Sequence, residues 1–294
     1  MSNPVFNNSG VFGDPHNPKV RERRGQLATD PSWGTPAPYG ASPYGGASTD
    51  AATLESMYAA PPATSTQMRR MTYDDVIMKT GGLLALLVVV AAGAYQLTPS
   101  MPALVWVGLA AGLVLGLVNA FKKQPSPPLI IAYAVAQGVF LGGISFVFQE
   151  LYVGGAGVQP IILQAVLATM ATFAVSLMLF RSGKVRVTPK FTRWLIIAVG
   201  GYAVFSILNF VLALFMPHSG FGPLRGGTFG IIIGLVAVGL AAMSLIVDFD
   251  FIKRGVEGGA PAKYAWTGAF ALIVTLVWLY LELLRLFAML AGRD

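Results

Sequence analysis

The chain has 294 residues, of which 55% are hydrophobic and 11% are charged, whereas a soluble domain usually carries about 25% charged residues. This composition and the long uncharged runs exclude an ordinary soluble domain and predict an all-α polytopic membrane protein. The absence of cysteine excludes disulfides, thiolate metal sites and cysteine nucleophiles. A net charge of +7 is typical of a protein that binds nucleic acid. Most of the basic residues flank the apolar runs, however, so we predict no nucleic-acid partner.

The first 70 residues form a segment rich in Pro, Gly, Ser, Asn and Ala, with the near-repeats APYG and SPYG. Such a segment buries too little apolar surface to offset its ordering entropy. We therefore predict a disordered cytoplasmic tail over 1–70, followed by a membrane domain over 71–292. The alternative is a docking tail, in which tyrosines and the basic cluster Arg21, Arg23 and Arg24 contact another protein.

Seven apolar runs follow this tail, and each is long enough for a helix that crosses a hydrocarbon core of roughly 30 Å. Lys and Arg cluster on one side of the predicted bundle, and only Arg225 and Arg293 fall on the other side. This asymmetry predicts a plasma-membrane protein with its N-terminus in the cytoplasm and its C-terminus outside. The predicted spans are 79–97, 102–121, 129–148, 161–180, 194–216, 229–248 and 265–290.

The last span carries two charges well inside its apolar run, Glu282 and Arg285. A charge at the middle of a lone membrane helix costs about 3 kcal/mol or more, so a helix that faces lipid rarely keeps two. Thr275, Trp278, Glu282 and Arg285 are spaced by three and four residues and share one helical face. We therefore predict a seven-helix bundle with this last helix at its centre.

Glycines recur every four residues in three spans, a pattern that lets helix backbones approach closely in lipid. We expect them to pack helices within the bundle. The alternative is an oligomer interface formed by the glycines of the second span, and the oligomeric state stays open. These glycines are Gly108, Gly112 and Gly116 in the second span, Gly138 and Gly142 in the third, and Gly230 and Gly234 in the sixth.

Polar residues inside the spans are predicted to form two layers, from their distance to the cytoplasmic end of each span. Asp248 and Asp250 are a candidate cation site at the inner mouth, because a hard cation such as Ca²⁺ takes oxygen ligands. The other candidates for a path or gate are Asn119 and Gln137 in the inner layer, Asn209, Glu282 and Arg285 in the outer layer, and Thr275 on the last helix.

Most of these candidates also have a purely structural interpretation. Glu282 and Arg285 are i,i+3 neighbours and would neutralise each other. Asp248 and Asp250 would be interfacial carboxylates close to Lys253 and Arg254. Asn209 and Gln137 would bridge helices.

Catalysis finds little support in the sequence. The two histidines, His16 and His218, lie outside the predicted spans. This position argues against an intramembrane Ser–His protease and a His-ligated zinc site. We expect neither an enzyme nor a resident cofactor, with Ca²⁺ only as a transported ion.

Four stretches resemble one known family. They are MTYDDVIMKT at 71–80, YAVAQGVFLGGISF at Tyr133–Phe146, SLIVDFDFI at Ser244–Ile252 and WLYLELLRLF at Trp278–Phe287. Together they resemble the Bax inhibitor-1 family, or transmembrane Bax-inhibitor-motif proteins, and its bacterial branch most closely. The resemblance covers residues 71–292, and the tail has no counterpart in it.

That resemblance implies a seven-helix fold with a central last helix, and a link to calcium leak and to stress or cell-death suppression. It also implies a pair of aspartates, on spans six and seven, that acts as pH sensor and gate. Asp248 fits the first, with Asp250 as a competitor. The second falls at Glu282 or, without a gap, at Val274 or Thr275.

The ungapped alternative is the more compatible with geometry, because Glu282 lies about 20 Å too far along the last helix to touch the inner mouth. We therefore expect the two-aspartate latch to be absent or rebuilt.

The first functional hypothesis is a protein that mediates or regulates a slow calcium leak. The alternative is a non-transporting regulator that binds another membrane protein, such as a quality-control protease. A proton-coupled transporter comes third, because we detect no inverted repeats.

Overall fold

The computed structural model describes residues 69–122, 124–152, 160–183, 187–216 and 222–291. These residues form seven long helices, and each is long and apolar enough to cross a membrane. A π-helical turn, Val147–Tyr152, follows the third helix, and a 3₁₀ turn, Ala262–Tyr264, leads into the last. The helices are α1 (Tyr73–Leu97), α2 (Ala103–Phe121), α3 (Pro127–Phe146), α4 (Ile161–Arg181), α5 (Pro189–Phe215), α6 (Gly227–Glu257) and α7 (Ala265–Ala291).

This architecture confirms the predicted seven-helix membrane protein. The predicted disordered tail lies outside the described residues, apart from its last two positions. His218 and Arg293 also lie outside the described residues.

Helix α1 begins at a capping box formed by Thr72 and Asp75. The Thr72 hydroxyl accepts a hydrogen bond from the Asp75 backbone N–H at 3.1 Å, and an Asp75 carboxylate oxygen accepts from the Thr72 N–H at 3.3 Å. The helix therefore starts at Tyr73, six residues before the predicted span. The predicted boundary is late because it follows the apolar run, whereas the first turn of the helix is polar.

Helix α6 corrects a second predicted boundary. It continues to Glu257, nine residues beyond the predicted end at Asp248. Its charged last turns are stabilised by i,i+4 pairs, with 2.5 Å between Arg254 and Asp250 and 3.8 Å between Lys253 and Glu257. Asp248 is therefore an interior residue of the helix, about 14 Å from its C-terminus.

The last helix, α7, is the centre of the bundle, as predicted. It packs against α1, α3, α4 and α6. Within its membrane-spanning window 67% of the residues are buried, against 11% in α2 and in α5. A helix surrounded by other helices can keep charged side chains away from lipid, which accounts for its polar stripe.

Glycines bring α3 into close contact with α1 and α2. A Cβ atom at Gly108 would lie 2.6 Å from the Phe140 backbone nitrogen, and one at Gly142 would lie 2.1 Å from the Ala91 carbonyl oxygen. Both spacings exclude a side chain, so the glycines allow the backbones to touch. This confirms the expected packing role and shows that the glycines of α2 face α3.

The segment before α1 is tied to the loop between α6 and α7. The Met71 N–H donates to the Ala260 carbonyl at 2.7 Å, and the Ala262 N–H donates to the Arg69 carbonyl at 2.8 Å. The Met71 side chain is buried, with its sulfur against Gly255. The start of the membrane domain is therefore fixed at the same end of the bundle as the C-terminus of α6.

Candidate functional site

The inner part of the candidate site is a contact between α6 and α7. The Thr275 hydroxyl donates a hydrogen bond of 2.6 Å to a carboxylate oxygen of Asp248. Thr275 is buried, whereas its neighbour Val274 is 38% exposed. Of the two positions at which the ungapped resemblance puts a second aspartate, Thr275 is therefore the one that faces Asp248. The group that faces Asp248 is therefore a neutral hydroxyl and not a second carboxylate.

The side chains of Asp250 and Asp248 lie on different faces of α6. The two residues are separated by two positions, so they point about 200° apart around the helix. Asp250 pairs instead with Arg254, whose side chain is 65% exposed. The expected pair of inner carboxylates is thus not assembled, and among the described residues no group of three or more His, Cys, Asp or Glu could hold a metal ion.

The two amides of the predicted inner layer lie between α2 and α3, apart from Asp248. The Asn119 side-chain amide donates to the Leu115 carbonyl at 2.9 Å and to the Leu129 carbonyl at 3.2 Å. The Gln137 side chain covers Gly112. These positions suit the helix-bridging interpretation, and the four inner residues do not form one layer.

The outer part is a buried cluster around Glu282. One carboxylate oxygen of Glu282 accepts a hydrogen bond from Arg285, and the other accepts one from the Tyr202 hydroxyl. Arg225 lies 3.7 Å from the same carboxylate and also donates to Tyr202 and, at 2.8 Å, to Ser206. Glu282 therefore pairs with two arginines, where the sequence predicted one.

Asn209 positions the loop that carries Arg225. Its side-chain oxygen accepts a hydrogen bond of 3.0 Å from the Leu224 N–H, one residue before Arg225. Gly222 approaches this side chain with φ +95, a conformation that favours glycine. Asn209 therefore belongs to the outer cluster as a support for the loop.

Sequence reasoning missed Arg225, Tyr202 and Ser206. By its position in the sequence Arg225 is a loop residue beside the membrane, but in the fold it is only 6% exposed. The available signal was on α5, where Tyr202, Ser206 and Asn209 are spaced by four and three residues and form a polar stripe on an apolar helix.

An apolar layer separates the inner contact from the outer cluster. Thr275 and Glu282 are seven residues apart on α7, which is about 10.5 Å along the helix axis. Between them Ala241, Leu245 and Leu279 have no exposed surface and belong to one hydrophobic cluster. The two polar groups therefore make separate contacts, as predicted. Their separation along the axis is about half of the predicted 20 Å, because Asp248 lies inside α6 and not at its end.

Comparison with known proteins gives the family. A family model described as Bax inhibitor 1 like matches residues 3–292, nearly the whole chain. The chain belongs to the Bax inhibitor 1 like family. The match includes most of the N-terminal tail, so the expectation that the tail has no counterpart is wrong. No curated protein matched the chain.

Membership of the Bax inhibitor 1 like family and seven apolar helices together establish a multi-pass membrane protein. The bundle with a central last helix is the fold that the resemblance implied. In this member of the family, Glu282 of the central helix contacts α5 and the loop before α6, while Thr275 contacts Asp248.

Proposed function

We propose that this protein mediates or regulates a slow calcium leak across the plasma membrane, with its N-terminus in the cytoplasm. The observation that carries the proposal is the environment of Asp248. Its carboxylate lies between α6 and the central helix, and its partner is the neutral Thr275 hydroxyl. Among the described residues, no Lys or Arg forms an ion pair with it. Its negative charge is thus available to attract a cation.

A site with a single carboxylate is expected to bind a cation weakly, which favours transport of the ion over its retention. Ca²⁺ takes six to eight oxygen ligands, and Asp248 with Thr275 supplies a minority of them. The apolar layer formed by Ala241, Leu245 and Leu279 opposes the passage of a hydrated ion. A weak inner site below a closed apolar layer is consistent with a leak that is slow and requires movement of α6 against α7.

The first test removes the charge of Asp248. In liposomes that contain a calcium dye, Asp248→Asn should lower the initial rate of Ca²⁺ influx by about tenfold, which corresponds to the loss of about 1.4 kcal/mol of attraction. Asparagine keeps an oxygen that accepts from Thr275. The measurement is the initial slope of the dye signal after external Ca²⁺ is added.

Asp250→Asn is the matched control, because Asp250 faces Arg254 and should leave the influx within about twofold of wild type. Circular dichroism and a melting curve verify that each variant is folded. If Ca²⁺ influx into liposomes with the wild-type protein were no faster than into liposomes without protein, the leak would be contradicted. Equal influx with wild type and with Asp248→Asn would contradict the role of Asp248.

A non-transporting regulator is the second candidate, and the family match supports it by including the tail from residue 3. A region shared by a family is a reasonable contact for another membrane protein, such as a quality-control protease.

Deletion of residues 1–65 discriminates between the two candidates. The deletion keeps the Arg69–Met71 segment that is bonded to the loop between α6 and α7. We expect the shortened protein to retain Ca²⁺ influx within about twofold, because the residues of the proposed path lie in the bundle. Loss of influx with the fold intact would instead assign the activity to the tail. A partner that copurifies with the full-length protein but not with the shortened one would support the regulator.

A further inference from the structure

The outer cluster carries more positive than negative formal charge. Arg225 and Arg285 each contribute +1, and Glu282 contributes −1, while the hydroxyls of Tyr202 and Ser206 contribute none. Arg225 is 6% exposed, Arg285 is 8% exposed and Glu282 is 4% exposed. Within the described part of the chain, the ion pairs of both guanidinium groups go to Glu282 alone. Among the described residues, the cluster therefore holds one positive charge that no carboxylate compensates, and it is buried away from water.

Both arginines also have an unused hydrogen-bond donor. The Nε atoms of Arg225 and Arg285 are buried and have no hydrogen-bond partner among the described residues. Buried donors are almost always paired, by protein groups or by a bound molecule. Two unpaired N–H groups on the two cations of one cluster indicate that the cluster lacks an acceptor with negative charge.

Neighbouring groups only partly compensate for the excess charge. The Arg225 guanidinium carbon lies 4.9 Å from the centre of the Tyr202 ring and 5.4 Å from that of Phe205, so the rings provide cation–π attraction. Helix α6 begins two residues after Arg225, and its N-cap, Gly226, provides no side-chain acceptor. The positive end of the α6 dipole therefore adds to the positive potential there.

We propose that Arg225 and Arg285 bind a small monovalent inorganic anion, such as chloride, beside Glu282. One such anion would bring the formal charge of the cluster to zero and would be an acceptor for an unpaired Nε–H group. The low exposure of both arginines favours a small anion over a lipid phosphate group, which is bulky and tethered to its acyl chains. This proposal does not depend on the calcium leak.

The test measures the melting temperature of the full-length protein in detergent, with chloride exchanged for gluconate at constant ionic strength. Above the dissociation constant, each tenfold increase in chloride should raise the melting temperature by roughly 3 °C. In Arg225→Gln, which removes the excess charge and one donor, the shift should fall below about 1 °C. Arg254→Gln changes an exposed arginine and should keep the wild-type shift.

Direct binding of radiolabelled chloride to wild-type protein gives a second measurement, which does not depend on whether Arg225→Gln folds. Saturation at one chloride per chain supports the proposal. Absence of saturable chloride binding overturns it, and so does an equal chloride shift in wild type and a folded Arg225→Gln variant. If anionic lipid added in gluconate stabilises the protein while chloride does not, the ligand is a lipid phosphate and the proposal is also overturned.

Discussion

Replacing Glu282 by alanine is expected to lower the free energy of unfolding by about 3–5 kcal/mol, the cost of removing one partner from a buried ion pair. Glu282 is the only carboxylate paired with Arg225 and Arg285 among the described residues, and all three side chains are almost completely buried. Its loss leaves two positive charges inside the bundle without a carboxylate partner in the described part of the chain. It also removes the acceptor of the Tyr202 hydroxyl.

Denaturant titration in mixed micelles, followed by circular dichroism, measures this loss. Glu257→Ala is the control, because Glu257 pairs with Lys253 at the exposed end of α6 and should change stability by less than about 0.5 kcal/mol. The double variant Glu282→Ala, Arg225→Gln should recover part of the loss, since it buries one uncompensated charge fewer. Equal stability of Glu282→Ala and wild type would show that the arginines reach water and that the cluster is not a buried charge network.

The position of α7 could be predicted from the sequence because charge inside an apolar run is a strong constraint. Only a helix covered by its neighbours keeps both Glu282 and Arg285, and their i,i+3 spacing places them on one face of that helix. The helix ends were predicted less well. A search for apolar residues stops at the first charges, so it removed the last turns of α6 after Asp248 and the first turn of α1.

The error at α6 also explains the error at the inner site. With Asp248 and Asp250 at a helix end, two nearby carboxylates suggested a shared site. Once the helix continues past them, its period separates them onto different faces, so that Asp248 contacts Thr275 and Asp250 contacts Arg254. Both aspartates could be identified from the sequence. The length of α6, which decides the direction in which each of them points, could not.

The outer cluster could be predicted only in part, because its residues come from distant parts of the chain. Glu282 and Arg285 are neighbours on one helix, and local spacing was enough to pair them. Arg225 reaches the same carboxylate from a loop 57 positions earlier, and a count of basic residues along the chain cannot distinguish a buried arginine from one beside the membrane. That contact is determined by the tertiary packing of α5 on α6 and by the hydrogen bond that the Leu224 N–H of the loop donates to Asn209.

The contact between Asp248 and Thr275 leads to the second large effect, on the response of the leak to pH. The resemblance implies a pair of aspartates at this place, and the structure has one carboxylate and one hydroxyl. Thr275→Asp should therefore rebuild a two-carboxylate latch. Two carboxylates at hydrogen-bond distance share a proton at low pH and repel when both are ionised. The rebuilt latch should hold α6 against α7 in acid and separate them in base.

We expect the ratio of Ca²⁺ influx at about pH 8 to that at about pH 6 to be roughly tenfold larger in Thr275→Asp than in wild type, since 1.4 kcal/mol of repulsion at the contact suffices for that factor. Thr275→Asn is the matched control, because asparagine has the shape of aspartate without its charge. It should keep the wild-type ratio, which separates the effect of a second ionisable group from that of a larger side chain. An equal ratio in all three proteins would mean that the contact between α6 and α7 does not limit the leak, and the gate would then lie in the apolar layer of Ala241, Leu245 and Leu279 or in the outer cluster.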